Sequence, residues 1–305
     1  MPAAFDLQGH RGARGLKPEN TLAAFEAALD VGVHSIETDV HLTRDGVPVL
    51  YHDHRLTELH CRLHHPGDAP APESRPRLID LDWARLHAYR ADRNPDPARF
   101  PMQDAAPTPL AVHFALEHGG DPLGIPSLGQ WFAFVAAYAG DAGARAGKSP
   151  AQQQTARQLI FDIELKRVPF QPDWTGAPEY LERQVLHDVR DAGVADRCRV
   201  RSFDHRTVKL LRQLEPQLTG AILIAGTAPI DPARLARDAD ARIYCPEWEF
   251  LDAVQVKQCQ NEGIQVLPWT VNEPDAWRRL LDWGVDGITT DYPDRLAELL
   301  HRTGR

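Results

Sequence analysis

Nine short apolar runs, bounded by turn residues and mostly separated by amphipathic stretches, constrain this chain more than any other feature. They are Leu7–His10, Ser35–Val40, Val47–Asp53, Leu159–Leu165, Arg199–Asp204, Ala221–Ala225, Ile243–Trp248, Val266–Val271 and Gly287–Asp291. Runs of this length read as buried strands, and strands alternating with helices read as an α/β protein with a parallel sheet. Asn20-Thr21 caps a helix over Leu22–Leu29, whose apolar residues recur at helical spacing and which closes at Gly32. Tyr180–Ala192, Thr207–Leu214, Asp252–Glu262 and Asp275–Trp283 read the same way, and Leu81–Tyr89 and Leu128–Tyr138 are further helical stretches.

Nine strands are one too many for an eight-stranded barrel. Only six residues, containing the turn signal Arg44-Asp45-Gly46, separate Val40 from Val47, whereas a parallel crossover needs about a dozen or more. The third run is therefore a hairpin return. Eight strands remain, which predicts a (β/α)8 TIM barrel as a single domain over residues 1–305, larger than the usual ~250 residues by an insertion. That insertion is residues 54–126, where 73 residues hold 11 of the chain's 25 prolines, about three times average usage. It reads as a loop-rich excursion above the barrel, and the small, polar stretch 139–156 reads as a flexible surface loop.

Other classes are excluded by composition. A net charge of −9 disfavours nucleic acid and anionic membranes as partners. The longest apolar stretches fall far below the ~20 residues of a membrane span. The four cysteines form no C-x-x-C and read as ordinary thiols. Met1–Gln8 lacks a secretory pattern, which predicts a cytoplasmic protein, or a periplasmic one if a leader has been trimmed.

Three strands end in titratable clusters, and barrel active sites are built at such ends. The first runs into His10-Arg11-Gly12, which alone is also compatible with an ordinary loop histidine. In the second, Glu37 and Asp39 are two apart and share a face. Two adjacent carboxylates need a cation or a shared proton, and an all-oxygen set favours Mg²⁺ or Ca²⁺ over zinc. Asp162, Glu164 and Lys166 share one face of a later strand, so Glu164 completes an acidic site while Lys166 offers positive charge at the rim; the alternative is an internal Glu164–Lys166 salt bridge. The hairpin return brings His52 back toward these carboxylates, with Asp53 either orienting it or capping the next loop. Phe203 and Trp269, at the ends of two strands, offer an apolar wall for the carbon atoms of a substrate, with core packing the alternative for Phe203. His54, His60, His64 and His65 read as a solvated loop rather than a second metal site, and Asp286 and Asp291 as loop hydrogen-bonding groups.

His10-Arg11-Gly12, Pro18-Glu19-Asn20-Thr21, Glu37-x-Asp39, Asp45-Gly46 with His52-Asp53, Glu164-x-Lys166, Ser202-Phe203 and Asp286-Gly287-Ile288 together resemble the signature of the glycerophosphodiester phosphodiesterase family, in order and over nearly the whole chain. The resemblance implies a metal-dependent barrel enzyme that cleaves glycerophosphodiesters, small-molecule substrates, to glycerol 3-phosphate and an alcohol. It implies His10 and His52 as acid/base groups, Glu37, Asp39 and Glu164 as ligands of one divalent ion, and Arg11 and Lys166 as phosphate-binding residues. A lysophospholipase D or sphingomyelinase D activity on the same barrel is the rival reading, although the insertion's low aliphatic content gives little support for an acyl groove. A nonenzymatic metal-binding scaffold is the second rival, opposed by the presence of both histidines with all three acids. The absence of H-x-H from the first strand disfavours a zinc amidohydrolase.

Overall fold

The structure is a computed structural model that describes residues 5–63, 75–177 and 179–304; His64 and His65 lie outside the described residues. Eight parallel strands follow one another in chain order: β1 (Asp6–Gly9), β2 (Ser35–Leu42), β3 (Ile160–Leu165), β4 (Cys198–Ser202), β5 (Thr219–Ile224), β6 (Ile243–Pro246), β7 (Gln265–Val266) and β8 (Gly287–Thr290). Each pairs with its neighbour from β1 through β7, and β8 pairs with β1, Gly9 opposite Thr290. Between β7 and β8 the ring is completed by the amides of Asp286 and Thr289 donating to the carbonyls of Val266 and Pro268, both at 3.0 Å. β7 is short because Pro268, two residues on, has no N–H for the ladder.

The expected hairpin is present. Gly46, at φ +83°, turns the chain, and Pro48–Leu50 runs antiparallel to β2, Val40 opposite Leu50. One residue beyond the pairing, the Tyr51 amide still donates to the Asp39 carbonyl (3.1 Å). His52 therefore leaves the hairpin beside the end of β2.

Aromatic residues fill the layer between strands and helices. Trp131 packs on Phe25 and Phe161, with centroids 5.1 and 4.9 Å away. Inside the barrel, beneath the strand ends, lies a buried polar network. Asp162 accepts from Arg199 at 2.9 Å, from Arg201 Nε at 2.7 Å and from Gln8 at 2.7 Å, while Arg199 also reaches Asp6 at 2.8 Å. Buried charges persist when paired and hydrogen-bonded in this way. Asp162 shares a face with Glu164 as expected, yet it anchors this floor rather than the site above.

Two local expectations are corrected. Stretch 139–156 contains two short helices, Asp141–Arg145 and Pro150–Arg157, where a loop was expected. Ser149 and Gln152 form a capping box, and Lys148 is tied to Glu26 and Asp30, both at 2.7 Å, so capping and ion pairing overcome a weak composition. The helix expected over Leu81–Tyr89 is only the turn Trp83–Leu86, because Tyr89–Arg90 pairs with Arg62–Leu63 as a two-stranded sheet. This part of stretch 54–126 carries its own small apolar cluster around Tyr51, Leu56, Leu78, Leu86 and Ile125. The helix Pro109–Glu117 instead buries Leu110, Ala111 and Phe114 in the main core. Among the described residues no helix is long and apolar enough to cross a membrane.

Candidate active site

The turn after β1 is conformationally demanding. Arg11 and Gly12 both have positive φ, +52° and +88°, and a Cβ on Gly12 would meet the Ala24 backbone at 2.6 Å, so only glycine fits there. A left-handed conformation costs a residue such as Arg11 roughly 1–3 kcal/mol and persists only where surroundings impose it. Here they do: the Arg11 amide donates to Glu37 Oε2 (3.1 Å), Nη1 donates to Glu19 Oε1 (2.8 Å), and Nε lies 3.0 Å from Asp39 Oδ2. Glu19 also binds Arg14 at 2.6 Å. Burial works to raise the Glu19 pKa, but Arg11 and Arg14 outweigh it and bring it down to about 2.

His10 is buried. Its Nδ1 lies 2.6 Å from Asp291 Oδ1 and its Nε2 3.8 Å from Glu37 Oε2. Burial opposes ionisation of Asp291, but His10, Arg14 and a 2.7 Å hydrogen bond from Asn272 hold its carboxyl well below the usual range. An ionised carboxylate only accepts, so Nδ1 carries the proton and the Nε2 lone pair of a neutral ring faces the acids. Burial first, and then Arg11, lowers the His10 pKa to about 4. Asp291 was expected to bond within its loop; it instead orients His10.

Glu37, Asp39 and Glu164 come together as expected: each offers a carboxylate oxygen within 4.8 Å of the others. The cause is register, since β2 and β3 pair Asp39 with Glu164 and Glu37 with Asp162, so all three acids project from one face. Burial and the charges of Asp39 and Glu164 push the Glu37 pKa up. Asp39 is pushed up by burial but brought below its ordinary value by Arg11 and Lys166. Lys166 does not stand free at the rim; its Nζ lies 2.8 Å from Asp39 and 2.6 Å from Glu164. Asn20 donates to Asp39 Oδ2 at 2.8 Å. Glu37 Oε1 is buried without a hydrogen-bond partner. An orphaned carboxylate oxygen within a three-acid, all-oxygen set fits a hard divalent cation.

His52 donates from Nδ1 to Asp53 Oδ1 at 2.8 Å, so Asp53 orients the ring rather than only capping the loop. Below it, His41 Nε2 bonds the His52 carbonyl at 3.0 Å. His54 packs edge-on against His41, with centroids 4.6 Å apart. His60 stands between Asp53 (3.9 Å) and Glu19 (3.8 Å), so these histidines pack around the site.

One cavity of about 420 Å³ is lined by His10, Arg11, Glu37, His52, Glu164, Lys166, Phe203 and Trp269. Asp39 lies buried behind that lining. All nine expected site residues thus converge. Sequence reasoning gave no role to Arg14, Arg99, Arg201, Thr270 or Glu247-Trp248-Glu249, which also line the cavity. For Glu247-Trp248-Glu249 the available signal was their position just past a barrel strand.

Comparison with known proteins agrees with this geometry. The chain is 27% identical over 292 residues to a glycerophosphodiester phosphodiesterase of Bacillus altitudinis, covering 95% of this chain and 96% of that protein. A crystal structure from Silicibacter pomeroyi DSS-3 superposes with a TM-score of 0.81 at 28% identity, covering 100% of this chain and 95% of that one. An Oleispira antarctica phosphodiesterase, solved in complex with the product sn-glycerol-3-phosphate, shares the fold with a TM-score of 0.70 at 19% identity and 96% coverage of both chains. The model of the glycerophosphoryl diester phosphodiesterase family matches residues 10–295, from the histidine that follows β1 into the helix after β8. By that match the chain belongs to the glycerophosphoryl diester phosphodiesterase family.

Proposed function

We propose that this chain, acting as one domain over residues 1–305, hydrolyses glycerophosphodiesters to glycerol 3-phosphate and an alcohol. The observation that carries the reading is the convergence of two separately oriented histidines and a three-acid cluster on one cavity. Glu37, Asp39 and Glu164 would hold one Mg²⁺ or Ca²⁺ ion, which when bound withdraws charge from a nonbridging phosphate oxygen and supplements Lys166 in neutralising the acids.

A phosphodiester resists attack because its charge repels nucleophiles and its alkoxide leaves poorly. Arg11 and Lys166, both at the cavity wall, offset the first difficulty by holding phosphate oxygens. His10, neutral with Nε2 free, accepts the proton of the attacking hydroxyl, and His52 returns one to the departing alcohol; such proton transfer contributes ~10²–10⁴ in rate. Phe203 and Trp269 cover carbon atoms of the substrate.

The test is release of glycerol 3-phosphate from a diester panel with Mg²⁺, Ca²⁺ or EDTA. His10→Ala and His52→Ala are each expected to retain less than about a tenth of the activity with unchanged circular dichroism. Retention above that level in either variant removes that histidine from the chemistry.

A further inference from the structure

The cavity is electrically divided. Arg11, Arg14, Arg99, Lys166 and Arg201 line it near the acids and His10, whereas Glu247, Trp248 and Glu249, from the segment after β6, line it together with Trp269 and Phe203. Phe203 is 46% exposed, a large apolar surface amid so many charges. Trp269 meets it edge-on, with centroids 5.7 Å apart at 82°, and is fixed by its Nε1 donating to the Cys245 carbonyl at 2.9 Å. The two rings form a rigid corner. Arg279 lies over the Trp248 ring at 5.4 Å, and Trp248 lines the cavity beside the Phe203–Trp269 corner. Glu247 Oε2 accepts from the Gly226 amide at 2.7 Å, which anchors that carboxylate, and Glu249 is exposed.

We propose that the cavity is built for a zwitterionic diester whose alcohol carries a cationic amine, of the choline or ethanolamine class; this rests on the phosphodiesterase reading above. The anionic phosphate belongs with the arginines and Lys166. The ammonium, a few bonds away, belongs with the aromatic corner, where ring faces attract cations, and with the Glu247 and Glu249 carboxylates, whose charge an uncharged head group would leave unbalanced. Wall and charge then select one class of leaving alcohol.

The experiment compares kcat/KM of the metal-loaded enzyme on glycerophosphocholine, glycerophosphoethanolamine and glycerophosphoglycerol. The cationic head groups are expected to lead by roughly tenfold, the scale of one partly desolvated cation–ring contact aided by a carboxylate. Glu249→Lys, and Glu247→Gln combined with Glu249→Gln, are expected to narrow that ratio several-fold. A wild-type ratio within about twofold of unity overturns the proposal while leaving the diesterase reading intact. So does a parallel fall on all three substrates in the variants, which would assign the carboxylates to the glycerol unit common to them. Turnover of none of the three by folded, metal-loaded protein overturns both readings. Should the double variant fail to fold, the wild-type ratio and Glu249→Lys decide.

Discussion

His10 Nδ1 and Asp291 Oδ1 stand 2.6 Å apart although 281 residues separate them in the chain. The contact fixes which ring nitrogen carries the proton and leaves the other to the cavity. Asp291→Asn keeps the shape but can present its amide N–H to Nδ1, which favours the wrong tautomer. The expected outcome is a fall in kcat of about 10²-fold or more with KM little changed, measured by steady-state kinetics on the metal-loaded enzyme.

Ionising Glu37 is costly, since burial and two neighbouring carboxylates raise its pKa. Glu37→Gln removes that repulsion. In EDTA the variant is expected to melt a few degrees above wild type, as a gain of ~1 kcal/mol would give, and by calorimetry to bind Mg²⁺ or Ca²⁺ at least tenfold more weakly. A lower melting point in EDTA would show that the acids do not repel.

Acid sensitivity follows from the buried histidines. The His10 pKa falls from an ordinary 6.5 to about 4 in the folded chain and that of His41 to about 3, in both cases chiefly through burial. The unfolded chain takes up these protons near pH 6.5 and the folded chain does not, so stability held above that pH drains away as pH falls toward 4. For His10 alone the loss approaches roughly 3 kcal/mol. Thermal midpoints measured in EDTA between pH 7 and pH 4.5 are expected to drop, and to drop less in His10→Asn.

Phe100 ties stretch 54–126 to the cavity. It is fully buried, lies beneath the guanidinium groups of Arg14 (4.7 Å) and Arg99 (5.3 Å), and packs beside Tyr292, whose hydroxyl donates to the Arg99 carbonyl. Phe100→Ala is expected to cost ~3–5 kcal/mol in chemical denaturation. By loosening two arginines of the lining it is also expected to raise KM more than it lowers kcat.

Legibility in the sequence followed locality. The two-residue period sets Glu37 with Asp39 on one face of β2 and Glu164 with Asp162 on one face of β3, and the short Asp45-Gly46 turn returns His52 toward them, while the register that joins the two faces is a property of the sheet. Asp291 was misjudged because its partner is distant: at the end of β8 it reads as loop polarity until closure of the barrel sets β8 beside β1. The pairing of Lys166 with Glu164, two residues away, is legible as an alternative, whereas its pairing with Asp39 is not, because Asp39 sits on the neighbouring strand. In residues 139–156 a run of alanine and glycine masked the capping residues Ser149 and Gln152. The paired strands Arg62–Leu63 and Tyr89–Arg90 have no periodicity to betray them, being held by contacts far along the chain.

The pairing of Gly9 with Thr290 joins the first-made of the eight strands to the last. A nascent polypeptide can form the β2 hairpin and gather its acids, but it has no anchor for the imidazole of His10 until translation has delivered β8. The orientation of that imidazole is therefore a property of the closed ring and not of the strand and turn that carry it.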